Sequence, residues 1–150
     1  MEKLILTLQQ PVLGNCLEMQ LLCNHSAEVD THFLGIFNTE VKLFNPPPPS
    51  GFSEGERTKF TGRGPKIPQI GWNNIYHCKS VLFNGIKEDP FVNTGYSYFA
   101  DLCAEIGAKT DYILPYSAAL QKNNFYAVQF HPEKSGTVGE TILKNFIEIA

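Results

Sequence analysis

The spacing of apolar positions near the start of the chain predicts a strand that turns sharply into a helix. Leu4–Gln10 carries its apolar residues on one side and is predicted to be a short helical fragment that Pro11 ends. Val12–Leu13 begins an apolar strand, which Gly14 is expected to interrupt. Leu17–Cys23 is predicted to be a helix with three leucines facing a core, namely Leu17, Leu21 and Leu22.

Further along, the pattern alternates between strand-like and helix-like segments. Phe33–Phe44 is rich in β-branched and aromatic residues and predicts one or two strands. From Trp72 to Phe130, the short alternating segments "SVLFNGI", "YSYFADLC", "DYILPYSAAL" and "NFYAVQF" predict antiparallel strands. "SGTVGETILKNFIEIA" predicts a closing helix with a capping box formed by Thr137 and Glu140, and with an apolar face of Ile142, Leu143, Phe146 and Ile147.

A proline-rich segment separates the two halves. "NPPPPSGFSEGERTKFTGRGPKIP", residues 45–68, holds six of the ten prolines, and it predicts one long surface loop rather than a domain boundary. Pro46–Pro49 is interpreted as a constraint on this loop, with a polyproline recognition site as the alternative. The loop also carries the basic residues Lys59, Arg63 and Lys66. We interpret them as solvated charges, with contact to a partner or an anionic substrate as the alternative.

Composition narrows the class of protein. With 150 residues and 43% hydrophobic content, the chain can bury one core, so residues 1–150 are predicted to form one domain. A net charge of −3 does not indicate the strongly basic surface that binds nucleic acid or an anionic membrane. No apolar run approaches the roughly 20 residues of a spanning helix, and no signal peptide follows Met1. We therefore expect a cytoplasmic protein with neither nucleic acid nor membrane as partner.

The four cysteines point away from metals and disulfides. They are scattered singly, no two form a C-x-x-C pair, and we expect reduced thiols and no metal site. Cys16 stands where the predicted strand meets the helix, an arrangement that raises a nucleophile above the edge of an α/β sheet. A helix N-terminus would lower the pKa of this thiol. The alternative is a small core residue.

A candidate base for that thiol, His131, lies in the segment "FYAVQFHPE". Pro132 holds His131 extended, so the strand period of two places His131 and Glu133 on the same side. A carboxylate beside an imidazole fixes its tautomer and stabilises the imidazolium, as a general base requires. Cys16, His131 and Glu133 together match the Cys–His–acid arrangement of covalent acyl transfer.

Three collinear segments carry a family resemblance. "PVLGNCLEMQLL" resembles the nucleophile elbow of class I glutamine amidotransferases, and "YAVQFHPEKSG" resembles their histidine–glutamate motif. "KIPQIGWNNI" resembles the branch of glutaminase subunits of imidazole glycerol phosphate synthase. The resemblance implies an α/β, flavodoxin-like sheet flanked by helices that lacks its first βα units, so residues 1–150 would be a partial amidotransferase domain.

The resemblance also implies a mechanism. Cys16 would attack the side-chain amide of glutamine, His131 would move the proton and Glu133 would orient His131. Ammonia would pass to a cyclase partner, a (β/α)₈ barrel, in a heterodimer that serves histidine biosynthesis, and no cofactor is implied. Gln20, Ser97 and Tyr98 would bind substrate, the Leu17 amide would donate to the oxyanion, and Trp72 and Asn73 would lie at the partner interface. A core position for Trp72 is the alternative.

Three departures from the family pattern leave other functions open. Glu18 replaces the second glycine of the elbow, and its charge near Cys16 would raise the thiol pKa. Asn15 stands where a branched apolar residue is usual and is also expected to weaken the strand. The second departure, implied by the resemblance, is the missing front of the fold, with its central strands and the loop that donates one oxyanion hydrogen bond. The third is the irregular "NTGY" segment before Ser97. The chain could instead be a catalytically impaired, truncated relative that acts as a binding module. An amidotransferase of another pathway is the third possibility.

Overall fold

A computed structural model describes residues 2–28, 30–45 and 67–149 of the chain. Within these ranges there are three α-helices, α1 Glu2–Ile5, α2 Leu17–Leu21 and α3 Gly136–Ile149. The strands are β1 Val12–Asn15, β2 His25–Ser26, β3 Thr31–His32, β4 Glu40–Leu43, β5 Gln69–Asn74, β6 Phe91–Tyr96, β7 Tyr98–Ala100, β8 Ile106–Tyr112, β9 Leu114–Lys122 and β10 Phe125–Val128.

The larger sheet is mixed and places β1 beside β10. Its order is β1-β10-β9-β7-β4-β2-β3, with β8 paired to β9 as an additional strand. The β1–β10 and β2–β4 pairs are parallel, whereas the pairs along β10-β9-β7-β4, β2–β3 and β8–β9 are antiparallel. Because β1 and β10 run in the same direction, the residues that follow them emerge at the same edge of the sheet.

Alternation along β10 divides the core into two layers. Tyr126, Val128 and Phe130 belong to the apolar cluster that also contains Ile142 of α3. Phe125 and Ala127 belong to a second cluster. This cluster also contains Met19 of α2 and the two residues that follow the helix, Leu22 and Cys23. Helices α2 and α3 therefore cover opposite faces of the sheet at β10, and the predicted α/β architecture is observed.

A second, two-stranded sheet packs against this framework. Strands β5 and β6 are antiparallel, with Trp72 opposite Asn93. Tyr96, at the end of β6, joins Phe44, Phe99 and Tyr116 in a third, mostly aromatic cluster. The pair of strands is thereby tied to β9 and lies next to the edge where β1 and β10 end.

The N-terminal elements are shorter than predicted. Helix α1 ends at Ile5, and α2 ends at Leu21 rather than Cys23. Gly14 does not interrupt β1, because it pairs with Ala127 inside the strand. Of the three leucines expected to face the core, Leu22 is buried as predicted, but Leu17 and Leu21 are exposed. The other buried residues here are Met19, Gln20 and Cys23. A helix of five residues has too few turns for its periodicity to identify the buried side.

Other segments differ in detail. Phe33–Phe44 contributes one regular strand, β4, and "SVLFNGI" forms a 3₁₀ turn at Val81–Phe83 capped by Ser80 rather than a strand. The other segments between Trp72 and Phe130 contain antiparallel strands, as predicted. Helix α3 is confirmed, but it begins at Gly136, so Thr137 lies inside it and the capping box is wrong. Ile147 is 71% exposed and does not join the core.

Several composition-based expectations can be compared with the described residues. All four cysteines are free thiols, as predicted. No group of three or more metal-binding side chains occurs in the described ranges, and no helix there is long and apolar enough to cross a membrane. Residues 46–66 lie outside the described ranges, so the interpretations of the long loop, Pro46–Pro49, Lys59, Arg63 and Lys66 stay predictions.

Candidate active site

Cys16 occupies a strained turn between β1 and α2. Its φ of 48° and ψ of −106° lie in a region that non-glycine residues rarely adopt. The Cys16 N–H donates to the Val128 carbonyl at 2.9 Å, and the Cys16 carbonyl accepts the Gln20 N–H at 3.4 Å. The parallel ladder with β10 and the first turn of α2 thus hold the residue from both sides. The predicted strand–turn–helix junction is present.

Gly14 and Glu18 show how this junction closes. A Cβ on Gly14 would lie 3.1 Å from the Glu18 backbone carbonyl carbon and 3.1 Å from a Leu22 methyl group. The first glycine is therefore needed for close packing of β1 against α2. Glu18, which replaces the second family glycine, is exposed. The junction accommodates a side chain at position 18 because that side chain extends into solvent.

The Cys16 sulfur favours its protonated form in this structure. Burial raises the pKa of the thiol most, a hydrogen bond from the Leu17 N–H lowers it, and the carboxylates of Glu18, Glu133 and Glu28 raise it further. The expected effect of Glu18 is confirmed. The expected lowering at the start of α2 is present in the Leu17 hydrogen bond, but burial outweighs it, so the pKa of Cys16 is raised overall. Deprotonation of Cys16 therefore requires a base.

His131 and Glu133 form the pair that the sequence predicts. His131 has extended backbone angles, φ −102° and ψ 97°, and its Nδ1 lies 3.1 Å from Glu133 Oε1. The backbone N–H of His131 donates to the Asn93 carbonyl of β6 at 3.0 Å, and the backbone carbonyl of His131 accepts a hydrogen bond from the Ser135 hydroxyl at 2.6 Å. With Nδ1 engaged by the carboxylate, Nε2 is the nitrogen left for proton transfer.

Gly95 leaves space beside that nitrogen. A Cβ built on Gly95 would lie 3.9 Å from His131 Nε2, which is ordinary van der Waals contact. Gly95 belongs to the irregular "NTGY" segment, on strand β6. The irregular segment therefore borders the imidazole directly.

Asn15 connects the two halves of the site. Its Nδ2 donates to Glu133 Oε2 at 3.4 Å, so Glu133 contacts His131 with one oxygen and the residue before Cys16 with the other. Asn15 is the last residue of β1 and pairs with Val128, so the expected weakening of the strand does not prevent its formation. Sequence analysis missed this contact because the two residues are 118 positions apart.

The residues expected to bind substrate have different environments. Gln20 is 4% exposed on α2, one turn after Cys16. The Ser97 carbonyl accepts the Phe44 N–H at 3.0 Å, and Tyr98 pairs with Leu43 at the start of β7. These contacts fix the 97–98 backbone between β6 and β7. Their roles toward glutamine stay predictions, as does the oxyanion role of Leu17.

Trp72 lies on the surface and not in the core. It is 58% exposed, which removes the core alternative. Ile70 and Phe91, on the same face of the β5–β6 sheet by strand alternation and register, are 78% and 60% exposed. We call Ile70, Trp72 and Phe91 the apolar stripe. Asn73 belongs to the other face, where its amide donates to Thr110 Oγ1 at 3.1 Å and to the Asp111 carbonyl at 3.0 Å.

Gln129 is a buried polar residue that sequence analysis did not select. It is 1% exposed, and within the described part of the chain neither side-chain polar atom has a hydrogen-bond partner. It directly follows β10, two residues before His131, and its backbone N–H donates to the Ala118 carbonyl at 2.8 Å. Its place after the strand was readable from "AVQFHPE", but its unpaired side chain was not.

Comparison with known proteins identifies the family. The family described as glutamine amidotransferase class-I matches residues 1–150. The imidazole glycerol phosphate synthase subunit HisH of Bacteroides fragilis is 48% identical over 149 residues, 99% of this chain and 69% of the relative. The corresponding subunit of Escherichia coli K12 is 38% identical over 148 residues, 97% of this chain and 67% of the relative.

Solved structures show the same fold. A Thermoplasma acidophilum protein assigned to GMP synthase superposes with a TM-score of 0.66 at 19% identity, and the glutaminase domain of Trypanosoma brucei CTPS with bound acivicin gives 0.58 at 15%. Each match covers 99% of this chain, but only 61% and 64% of the respective neighbour. The flavodoxin-like α/β fold expected from the sequence is confirmed.

Proposed function

The chain belongs to the class I glutamine amidotransferase family, and from that premise we propose that it hydrolyses glutamine for the synthesis of imidazole glycerol phosphate in histidine biosynthesis. The observation that carries the proposal is the position of two motifs at the carboxyl ends of two adjacent parallel strands: Cys16 directly follows β1, and the His131–Glu133 pair follows β10. The similarity to HisH subunits supports this pathway over another one.

Catalysis would begin with proton transfer from Cys16 to His131 Nε2. The sulfur would then attack the side-chain carbonyl carbon of glutamine, and the imidazolium would return the proton to the leaving nitrogen as the C–N bond breaks. Water would hydrolyse the resulting glutamyl thioester, releasing glutamate and restoring the thiol. The raised pKa of Cys16 makes a paired base necessary at neutral pH.

Three further residues and one backbone amide would serve binding. Gln20, Ser97 and Tyr98 would hold glutamine, and the Leu17 N–H, which already donates to the Cys16 sulfur, would donate to the oxyanion. Glu133 would keep His131 in the tautomer with a free Nε2, and Asn15 would hold the second oxygen of Glu133.

Ammonia would pass to a (β/α)₈-barrel cyclase docked on the β5–β6 sheet. The apolar stripe supports this surface, because three large side chains are exposed on one face and aromatic anchors are enriched where partners bind. Asn73 would support the stripe from the other face through its bonds to Thr110 and Asp111.

A non-catalytic binding module is the second candidate function. The observation that favours it is the electrostatic environment of Cys16, where burial and three carboxylates disfavour the thiolate. In this case the apolar stripe would still bind the barrel, but glutamine would not be hydrolysed.

Glutamate release decides between these functions. We expect glutamate from glutamine when the chain is mixed with the cyclase subunit of Bacteroides fragilis imidazole glycerol phosphate synthase, and none from the Cys16→Ala variant. Cys78→Ala is the matched control, because it removes a thiol outside the site. Release equal to that of Cys16→Ala, with co-elution of the two proteins, would support the binding module. Neither release nor co-elution would contradict both functions.

A further inference from the structure

The turn of residues 131–135, which we call the His131 turn, is attached to strand β6. Strand β10 ends at Val128, three residues before His131. Two hydrogen bonds then connect the turn to β6: the His131 N–H donates to the Asn93 carbonyl at 3.0 Å, and the Asn93 N–H donates to the Ser135 hydroxyl oxygen at 2.9 Å. Both backbone polar groups of Asn93 are therefore bonded to the His131 turn.

The Ser135 hydroxyl closes a ring of three hydrogen bonds. It accepts the Asn93 N–H and donates its own proton to the His131 carbonyl at 2.6 Å. A serine hydroxyl has one proton and two acceptor lone pairs, so both bonds can form at once. The His131 carbonyl also accepts the Lys134 N–H at 3.1 Å through its second lone pair. We call the two hydrogen bonds of the Ser135 hydroxyl the serine bridge.

Ser135 is itself held firmly in place. It is 2% exposed, its N–H donates to the Pro132 carbonyl at 3.0 Å, and its carbonyl accepts the Gly139 N–H at 3.3 Å. A Cβ built on Gly139 would lie 3.1 Å from the Ser135 Cβ, so α3 packs closely against this residue. The serine bridge thus joins β6 to a turn that α3 supports from the other side.

The edge of β6 that bonds to the His131 turn also borders the imidazole. Within the described residues, β6 has β5 as its one ladder partner, and Asn93 directs its backbone groups to the opposite edge. Gly95 follows two residues later, and a Cβ built on it would lie 3.9 Å from His131 Nε2. The place of Nε2 beside β6 therefore depends on how the His131 backbone is held at Asn93.

We propose that Ser135 is a positioning residue for His131, and that the serine bridge sets the direction of the imidazole by holding the His131 backbone against β6. The ring needs this support, because Nδ1 must stay aligned with Glu133 Oε1 at 3.1 Å while Nε2 stays open for proton transfer. Without the hydroxyl, the Asn93 N–H loses its acceptor and the His131 carbonyl keeps only the Lys134 N–H. The inference rests on the proposed function only in taking His131 as the base.

NMR spectroscopy of the full chain tests the serine bridge without any turnover of glutamine. In Ser135→Ala, we expect hydrogen exchange of the Asn93 amide to become about tenfold faster, because its acceptor is gone. The ¹⁵N shifts of the neutral His131 ring should move from those of the Nδ1–H tautomer toward a mixture of both tautomers, because Glu133 no longer meets Nδ1 in line. Ser135→Cys fills the same space with a weaker hydrogen-bonding group and should change both signals in the same direction.

Ser117→Ala is the matched control for the loss of a buried hydroxyl. Ser117 is 0% exposed, lies on β9 and donates to the Asp101 carbonyl at 2.7 Å, so it bonds to neither Asn93 nor His131. Both alanine variants should lose comparable stability in urea, since each removes one hydroxyl donor from a backbone carbonyl. Only Ser135→Ala should change the Asn93 exchange rate and the His131 ring shifts.

Glutamine turnover supplies a second readout if the chain is active. Ser135→Ala should lower kcat about threefold to tenfold and leave KM within about twofold of the wild-type value, because the orientation of the base affects proton transfer more than substrate binding. Ser117→Ala should leave both constants unchanged. A loss caused by general loosening of the fold would appear in both variants.

The outcomes separate the serine bridge from the proposed function. Unchanged His131 ring shifts in Ser135→Ala and Ser135→Cys, or equal changes in Ser117→Ala, would overturn the role of Ser135, as would an unchanged kcat in an active chain. A chain that shows the expected NMR pattern but releases no glutamate would contradict the proposed catalysis while supporting the serine bridge.

Discussion

Asn15 and Glu133 contact each other across the junction of β1 and β10, with Nδ2 of the amide 3.4 Å from Oε2 of the carboxylate. The residue before Cys16 thereby contacts the carboxylate that is paired with His131. Replacing Asn15 by alanine should lower the turnover of glutamine about threefold to tenfold, since Glu133 loses one of its two contacts. Steady-state kinetics of glutamate release provide the measurement.

Asn38→Ala is the control for that variant, because it removes an exposed amide whose partner is Asn24, away from the site. Equal turnover in Asn15→Ala and Asn38→Ala would show that the contact does not contribute to catalysis.

Glu18→Gln and Glu18→Gly should both speed alkylation of Cys16 at neutral pH. The Glu18 charge raises the pKa of the thiol, so its removal lowers that pKa and increases the thiolate fraction below it. Because Glu18 is exposed and screened by solvent, a gain of about twofold to fourfold is expected. A gain in the glycine variant alone would assign the effect to relaxation of the turn and contradict the electrostatic explanation.

Gly139→Ala should destabilise the protein strongly. A Cβ at this position in α3 would collide with the Pro132 carbonyl oxygen, so either the helix or the turn after His131 must move. We expect a loss of about 2–3 kcal/mol in the free energy of unfolding, measured by urea denaturation. Gly95→Ala, whose Cβ has 3.9 Å of space, should stay close to the wild type. Similar losses in both variants would contradict the role of close packing.

Trp72→Ala should weaken docking of the barrel partner without unfolding the chain. The side chain is 58% exposed, so its loss should change the melting temperature by less than about 2 °C. Removal of a central aromatic anchor should raise the Kd about tenfold or more, as measured by calorimetry. Ile147→Ala, an exposed apolar residue on α3, is the control. An unchanged Kd for Trp72→Ala would show that the interface lies on another surface.

Gln129→Met should stabilise the protein by about 1 kcal/mol. The glutamine amide is buried and, among the described residues, unpaired, and methionine has a similar shape without the cost of desolvating the amide. Urea denaturation measures the change. A loss of stability would mean that the Gln129 amide has a stabilising partner in solution.

The local placement of the candidate catalytic residues was predictable from short motifs, whereas their long-range contacts were not. Cys16 at a strand–helix junction and His131 beside Glu133 follow from local rules about glycine, proline and the strand period. Asn15 contacts Glu133 only after β1 and β10 have paired, and the hydroxyl of Tyr116 on β9 bonds to Tyr96 on β6 and Gln69 on β5 only after those strands come together. No local pattern contains those registers.

Errors in the helices have a different origin. Leu17, Leu21 and Leu22 were assigned to the core, yet only Leu22 of the three is buried, together with Met19. Hydrophobic character limits which residues of α2 can be buried. The direction in which α2 leaves the turn at Cys16 determines which of these residues face the core. Thr137 matched a capping box by spacing, but α3 had already begun at Gly136. Spacing alone does not fix where a helix starts.

Strand β1 has one ladder partner, β10, within the described residues. The position of Cys16 relative to the residues that follow β10 therefore depends on a single four-residue parallel register, from Val12 opposite Phe125 to Asn15 opposite Val128. A slip by two residues would preserve which side chains face each layer, yet it would carry the sulfur about 7 Å along the strand. Misalignment of this kind would leave a folded sheet that no longer supports the proposed proton transfer between Cys16 and His131.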